Sequence, residues 1–139
     1  VKKFEDLHIG DTLGPLQLSV SRDQTRAYAR AFLLDAPRFT DDEGARKEGL
    51  PGMILPGNLS LSLLTKLLTD WIGQSGAKLM RLGTTYRQPV QPDQTLTLQG
   101  FVTNANAADR SAEIDVWIET AEADRLVIGT ATVQFPAAK

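Results

Sequence analysis

The chain contains no cysteine, which removes disulfides, thiolate nucleophiles and thiolate metal sites from consideration. It has a single histidine, His8. One imidazole excludes a multi-histidine metal centre and leaves little from which to build Ser-His or Cys-His catalysis. Positive charge is not in surplus: 15 basic residues stand against 17 acidic ones, for a net charge of −2. That balance argues against a dedicated nucleic-acid binder. No apolar run approaches the ~20 residues that a membrane-spanning helix needs. No charged–apolar–small-residue pattern opens the chain, so a cytoplasmic location is expected. Repeats, low-complexity tracts and long linkers are missing too. What remains is 139 residues, 42% apolar and 23% charged, the composition of a soluble globular protein with one domain expected over 1–139.

Alternation and spacing predict the elements. Gly10-Asp11 marks a turn. Leu16, Leu18 and Val20 alternate with Gln17 and Ser19, which predicts a short strand over Leu16–Val20. Ser21 followed by Gln24 forms a capping box opening a helix from Arg22 to about Leu34, before Pro37. Thr40 and Glu43 form a second box, predicting a short helix over Asp41–Lys47 with Asp41, Asp42 and Glu43 in its first turn. After Leu55-Pro56-Gly57-Asn58 comes the longest helical pattern. Leu63, Leu64, Leu67, Leu68, Trp71 and Ile72 make one apolar stripe, and Leu59 and Leu61 broaden it, so the first two turns are expected to be buried nearly all round. Gly73 and Gly76 close the helix. Four strand patterns follow: Leu79–Tyr86, a run from Thr95 through Val102, Ala112–Glu119 and Leu126–Phe135. Short turns between them predict an antiparallel sheet, and with one long apolar helix the class is α+β, the sheet wrapped over the helix.

Four stretches, in order, carry a resemblance. Phe4-Glu5-Asp6-Leu7-His8-Ile9-Gly10-Asp11 resembles an F-x-D-x-x-x-G-D opening. Pro37 to Ala45 resembles a hydratase signature, Pro56-Gly57-Asn58-Leu59 the start of a central helix, and Tyr86 to Leu96 an F-x-x-P-V-x-P-G-D-T-L strand–turn–strand element. Together they resemble the MaoC-like, R-specific enoyl-CoA hydratase (hydratase 2) branch of the hotdog fold, an antiparallel sheet wrapped around one long central helix. Thr69-Asp70-Trp71 with Gly73 and Ser75 is similar to small MaoC-type subunits of steroid side-chain hydratases. The resemblance implies an acyl-CoA or acyl-carrier thioester as ligand, no metal and no cofactor. It also implies a homodimer, or a heterodimer with a related hotdog subunit, its sheets joined edge to edge. Neither nucleic acid nor membrane is expected as a partner.

Hydrating a 2-enoyl thioester needs a base for water, an acid for the α carbon and donors for the enolate-like oxygen. In the family an Asp and a His after the first helix move the protons, and an amide at the central helix start helps hold the oxygen. Here the family's Gly-Asp-x-Asn-Pro-x-His pattern aligns Phe39 with the His, Leu34 with the Asp and Ala36 with the Asn. A one-residue slip brings Asp35 close to the carboxylate position, but no slip supplies an imidazole.

Asp35 is therefore the candidate catalytic base, its alternative a loop aspartate turning the chain before Pro37. Phe39, Pro56, Gly57 and Asn58 are the candidate substrate-binding residues; core filling for Phe39 and close packing for Gly57 are the alternatives. Arg81 and Arg87 are read either as surface cations or as contacts to carrier phosphates. Ser60 and Ser62 have no histidine to activate them and are read as small packing or capping residues. His8 is read as a surface residue. Trp117, on the polar face of its strand, is expected to be covered by a loop or a partner. Three functions stay open: a hydratase or dehydratase with a degenerate dyad, a non-catalytic binding or scaffold subunit paired with an intact hydratase, and a hotdog thioesterase using Glu48 or Asp35.

Overall fold

A computed structural model describes residues 3–34 and 36–138. A 3₁₀ turn at Phe4–Asp6 precedes β1 (Thr12–Leu18), α1 (Arg22–Ala31), α2 (Pro37–Thr40), α3 (Asp42–Lys47) and α4 (Gly57–Ile72). Strands β2 (Lys78–Tyr86), β3 (Leu96–Asn106), β4 (Ser111–Glu119) and β5 (Arg125–Gln134) complete the order. The five strands form one antiparallel sheet, β1-β3-β4-β5-β2. Helix α4, about 24 Å long at 1.5 Å per residue, lies against its inner face. The class is α+β, as the alternation predicts.

The core forms where one helix stripe meets the inward rows of the sheet. Leu64, Leu67, Leu68 and Ile72 of α4 are buried with Leu98 and Val102 of β3, Ile114, Val116 and Ile118 of β4, and Val127, Ala131 and Val133 of β5. Register explains why these residues meet. Leu98 stands opposite Ile118, and Ile118 opposite Val127, so one inward row crosses three strands. Gly100, opposite Val116, sits where the strands press closest: a Cβ there would lie 2.2 Å from the Asp115 carbonyl oxygen.

Several boundaries differ from the sequence expectation. Strand β1 runs over Thr12–Leu18 instead of Leu16–Val20, with Val20 buried beyond its end. A bulge between Leu13 and Leu16 allows the earlier start; it turns on Gly14 at φ +76°, whose close approach to the Leu98 carbonyl excludes a side chain. Helix α1 stops at Ala31, three residues early. Leu33 adopts φ +56°, its amide donates to Arg30, and the Leu34 amide donates to Ala29. This is a Schellman stop built without glycine, so no residue type announced it. Thr40 does not cap the next helix. It ends the single turn α2, a stretch for which no helix was predicted, and Asp41 caps α3 by accepting the Gly44 amide at 2.9 Å.

The start of α4 also differs. Leu59, Leu61 and Leu63 are only half-buried, because the sheet covers one side of the first two turns and α1 leaves a cleft on the other. Trp117 needs neither loop nor partner. Its ring is 8% exposed on the outer sheet face, under the Arg125 guanidinium at 3.8 Å and edge-on to Phe101. Its indole N–H donates to Glu119, which also accepts from Gln99. Among the described residues no helix is long and apolar enough to cross a membrane.

Gly100→Ala is expected to destabilise the fold by about 3 kcal/mol, since the clash is with backbone of a paired strand. Urea denaturation measures it. Gly83→Ala, whose added methyl meets nothing within 4 Å, is the matched control and is expected to change little.

Candidate functional site

The approach to α4 is held at three consecutive amides. The Met53 N–H donates to Asp42 Oδ1 at 2.9 Å, the Ile54 N–H to the Arg38 carbonyl at 2.8 Å, and the Leu55 N–H to the Val90 carbonyl at 2.8 Å. These acceptors come from α3, α2 and the loop after β2. Three separate elements thus fix the segment that aims α4.

Asp42 does this while anchored on its other oxygen. Arg22, in the first turn of α1, reaches Asp42 Oδ2 at 3.1 Å with one nitrogen and Asp93 with another. The Met53 amide, ahead of Arg22, holds the Asp42 carboxyl below its ordinary range, and the two carboxylates raise the Arg22 guanidinium. Asp93, at φ +66°, returns its own amide to the Val20 carbonyl, which joins this network to the end of β1.

Pro56 follows as a buried N-cap residue that offers no side-chain cap, and Gly57 begins the helix. The Leu59 and Ser60 amides donate back to the Pro56 carbonyl. The Gly57 and Asn58 amides have no partner among the described residues, the usual condition of a helix start without a capping side chain. Tyr86, at the end of β2, donates its hydroxyl to the Gly57 carbonyl at 2.7 Å. Its ring packs on Gly57 so closely that a Cβ there would lie 3.2 Å from the ring carbon bearing the hydroxyl.

Beside this helix start lies a cleft of about 280 Å³. Ile54, Leu55, Pro89 and Val90 make its apolar walls, and Gly57, Ser60, Tyr86, Arg87 and Gln88 its polar rim. None of these is a carboxylate. Unpaired amides with the positive end of a helix dipole can hold a polarised or anionic oxygen, and the apolar walls raise the strength of that interaction. A larger depression of about 330 Å³ lies on the other side of α4, between Leu59, Leu63 and Tyr28, and it too contains no carboxylate. A third, of about 210 Å³, lies on the outer sheet face around Trp117 and Arg125, away from any helix start.

Of the candidate substrate-binding residues singled out in the sequence, only Gly57 lines the cleft; Pro56 is buried directly before it. Asn58 is exposed, and its carbonyl accepts the Ser62 hydroxyl at 2.8 Å. Phe39 is half-buried in α2 with the Arg38 guanidinium 5.8 Å from its ring, and it does not line the cleft. Leu34 is half-buried at the α1 stop. Asp35 lies outside the described residues. Glu48 is paired with Arg38 at 3.0 Å, away from the cleft. Arg87 lines the cleft, whereas Arg81 is exposed on β2. His8 is exposed, its amide donating to Asp11. Among the described residues no group of three or more His, Cys, Asp or Glu is placed to hold a metal ion. Tyr86 and buried Ser60 were not foreseen as site residues; the signal for Tyr86 was its place at the head of the Tyr-Arg-Gln-Pro-Val stretch.

An antiparallel sheet curved over one long helix, with a cleft at that helix's start, is the hotdog architecture. The chain belongs to the MaoC-like domain family, whose family model matches residues 6–123. The (R)-hydratase from A. caviae involved in PHA biosynthesis superposes with a TM-score of 0.85 at 22% identity, over 95% of this chain and 99% of that one. The ChsH1-ChsH2 complex from Mycobacterium tuberculosis gives a TM-score of 0.82 at 22% identity, over 93% and 98%. The HadBC (3R-hydroxyacyl-ACP dehydratase) complex from the same organism gives 0.75 at 16% identity, over 92% and 98%. No curated protein sequence matches the chain.

Because the folded-state pKa of Asp42 is depressed, its bond to the Met53 amide and its pair with Arg22 contribute stability fully above the unfolded carboxylate value of about 3.9. That contribution is lost as pH falls below 3.9 through the folded value. Asp42→Asn is expected to lower the urea midpoint at pH 6 and to flatten the loss of stability as pH falls below about 4. Equal pH slopes in the two proteins would contradict the assignment.

Proposed function

We propose that this chain is an acyl-thioester-binding subunit of the MaoC-like class, working beside a related hotdog chain that supplies the proton-transfer groups. The observation that carries the reading is the cleft at the start of α4, which combines apolar walls with Gly57, the first of two helix-start residues whose amides have no partner among the described residues, and has no carboxylate or imidazole among its described lining residues. Hydration moves a proton off water and another onto the α carbon while the water oxygen bonds the β carbon, and each transfer needs a positioned group. Tyr86 is committed to the Gly57 carbonyl, Arg87 is a permanent cation, and Ser60 has no base beside it. The positions that align with the family's His and Asp hold Phe39 and Leu34. What the site offers is binding: the Gly57 and Asn58 amides for the thioester oxygen, the apolar walls for the acyl group and Arg87 for an anionic carrier group.

The neighbour structures named as the ChsH1-ChsH2 and HadBC complexes favour pairing between hotdog chains as the setting for such a site. A second reading, a self-sufficient hydratase, rests on Asp35 in the segment between α1 and α2 and on the (R)-hydratase neighbour. The thioesterase reading has the least support, since Glu48 is engaged by Arg38 away from the cleft.

Purified chain alone is expected to hydrate 2-enoyl-CoA no faster than buffer, across chain lengths, and to bind a saturated acyl-CoA in calorimetry. Gly57→Val, which pushes a branched side chain into the Tyr86 ring, is expected to weaken that binding about tenfold, roughly 1.4 kcal/mol. Hydration by the chain alone that Asp35→Asn abolishes would replace this proposal with the second reading. No acyl-CoA binding, alone or with a MaoC-like partner, would remove both.

A further inference from the structure

Helix α4 carries four side-chain hydroxyls, and three of them are satisfied within the helix. Ser62 donates to the Asn58 carbonyl at 2.8 Å, Thr65 to the Leu61 carbonyl at 2.9 Å and Thr69 to the Lys66 carbonyl at 3.2 Å. Such back-bonding is where a helical hydroxyl rests when nothing else claims it. Ser60 is the exception. It is the most buried of the four, at 1% exposed, yet its hydroxyl has no hydrogen-bond partner among the described residues. Among those residues no side-chain oxygen or nitrogen is sealed off without a partner, so the Ser60 hydroxyl opens onto the cleft that the residue lines.

The fold gains nothing from this hydroxyl. A polar group in apolar surroundings costs stability unless it is bonded, and alanine would fill the same space with better helix propensity. Its direction shows what it serves. Each Cα–Cβ bond of an α-helix leans toward the N-terminus, and residues three apart share a face. Ser60 therefore leans back toward Gly57, three residues earlier. These two are the only α4 residues that line the cleft. Gly57 brings an amide without a partner among the described residues, and Ser60 brings a hydroxyl in the same condition. Leu55 and Val90, both buried, form the wall beside them, and donors in such a setting face little competition from water.

We infer that Ser60 is a ligand-binding residue whose hydroxyl donates to the thioester oxygen, beside the Gly57 amide. This deepens the proposed function and rests on it for the identity of the ligand. An oxygen held by one donor leaves its carbonyl free to swing. A second donor, arriving from a side chain one turn along the helix, fixes the plane of the carbonyl as well as its place. Both bonds strengthen as negative charge gathers on that oxygen, so the pair serves the reaction whichever chain moves the protons.

Calorimetry with octanoyl-CoA and with S-octyl-CoA, whose thioether has a methylene in place of the carbonyl, isolates this bond. Wild type is expected to bind octanoyl-CoA the more tightly. Ser60→Ala is expected to weaken octanoyl-CoA binding about fivefold and to leave S-octyl-CoA within a factor of about two. The urea midpoint of Ser60→Ala is expected to hold or rise, since the fold loses no bond and gains helix propensity. Equal weakening of both ligands, or of neither, overturns the inference, and octanoyl-CoA binding by wild type then leaves the proposed function standing. Equal affinity of wild type for the two ligands also overturns it, as does a lowered urea midpoint, which would assign the hydroxyl to the fold. Failure of wild type to bind either ligand, alone or with a MaoC-like partner, removes the proposed function and the inference together.

Discussion

The three amide hydrogen bonds at Met53, Ile54 and Leu55 are the constraint on which the site depends. They enter from α3, α2 and the loop after β2, so the segment before α4 cannot shift without disturbing three elements at once. That rigidity lets the helix begin on Pro56 and Gly57 with no capping side chain. An N-terminus left uncapped costs some helix stability, and a helix held from outside tolerates the loss. The buried stripe of Leu64, Leu67, Leu68 and Ile72 does the rest of the holding. Two amides are thereby left without a partner among the described residues, that of Gly57 beside an apolar cleft.

Asp42 shows how one residue couples the layers. One oxygen fixes the Met53 amide and the other takes Arg22, which also reaches Asp93. The first turn of α1 and the segment before α4 therefore converge on the one carboxylate at the start of α3, and Arg22 links it onward to Asp93 in the turn before β3. Sequence inspection assigned Asp42 only to the first turn of a helix, where the dipole favours it. Its larger role depends on contacts 11 and 20 residues away, which no local pattern encodes.

Legibility followed the range of the cause. The Ser21–Gln24 capping box is made of near neighbours and appears as expected, with both reciprocal bonds formed. The α4 stripe and the four later strands obey simple periods, and their bounds were close. The misses are tertiary. Leu33 enters a left-handed conformation that the sequence marks with no glycine, the β1 bulge answers to the Leu98 carbonyl across the sheet, and Trp117 is covered by Arg125 and Phe101 from neighbouring strands. The site was half legible. Pro56 and Gly57 follow from motif and helix start together, whereas Tyr86 reaches Gly57 across 29 residues and Phe39 is not among the residues lining the cleft.

The central claim is that the first amides of α4 are held open to receive the oxygen of an acyl thioester. Amide resonances of Gly57 and Asn58, followed while a saturated acyl-CoA is titrated into ¹⁵N-labelled protein, test it most directly. The account predicts that these two amides move downfield and saturate together with the Tyr86 and Arg87 amides. Unmoved Gly57 and Asn58 resonances, with the shifts gathered instead around the Trp117 indole on the outer face, would contradict it.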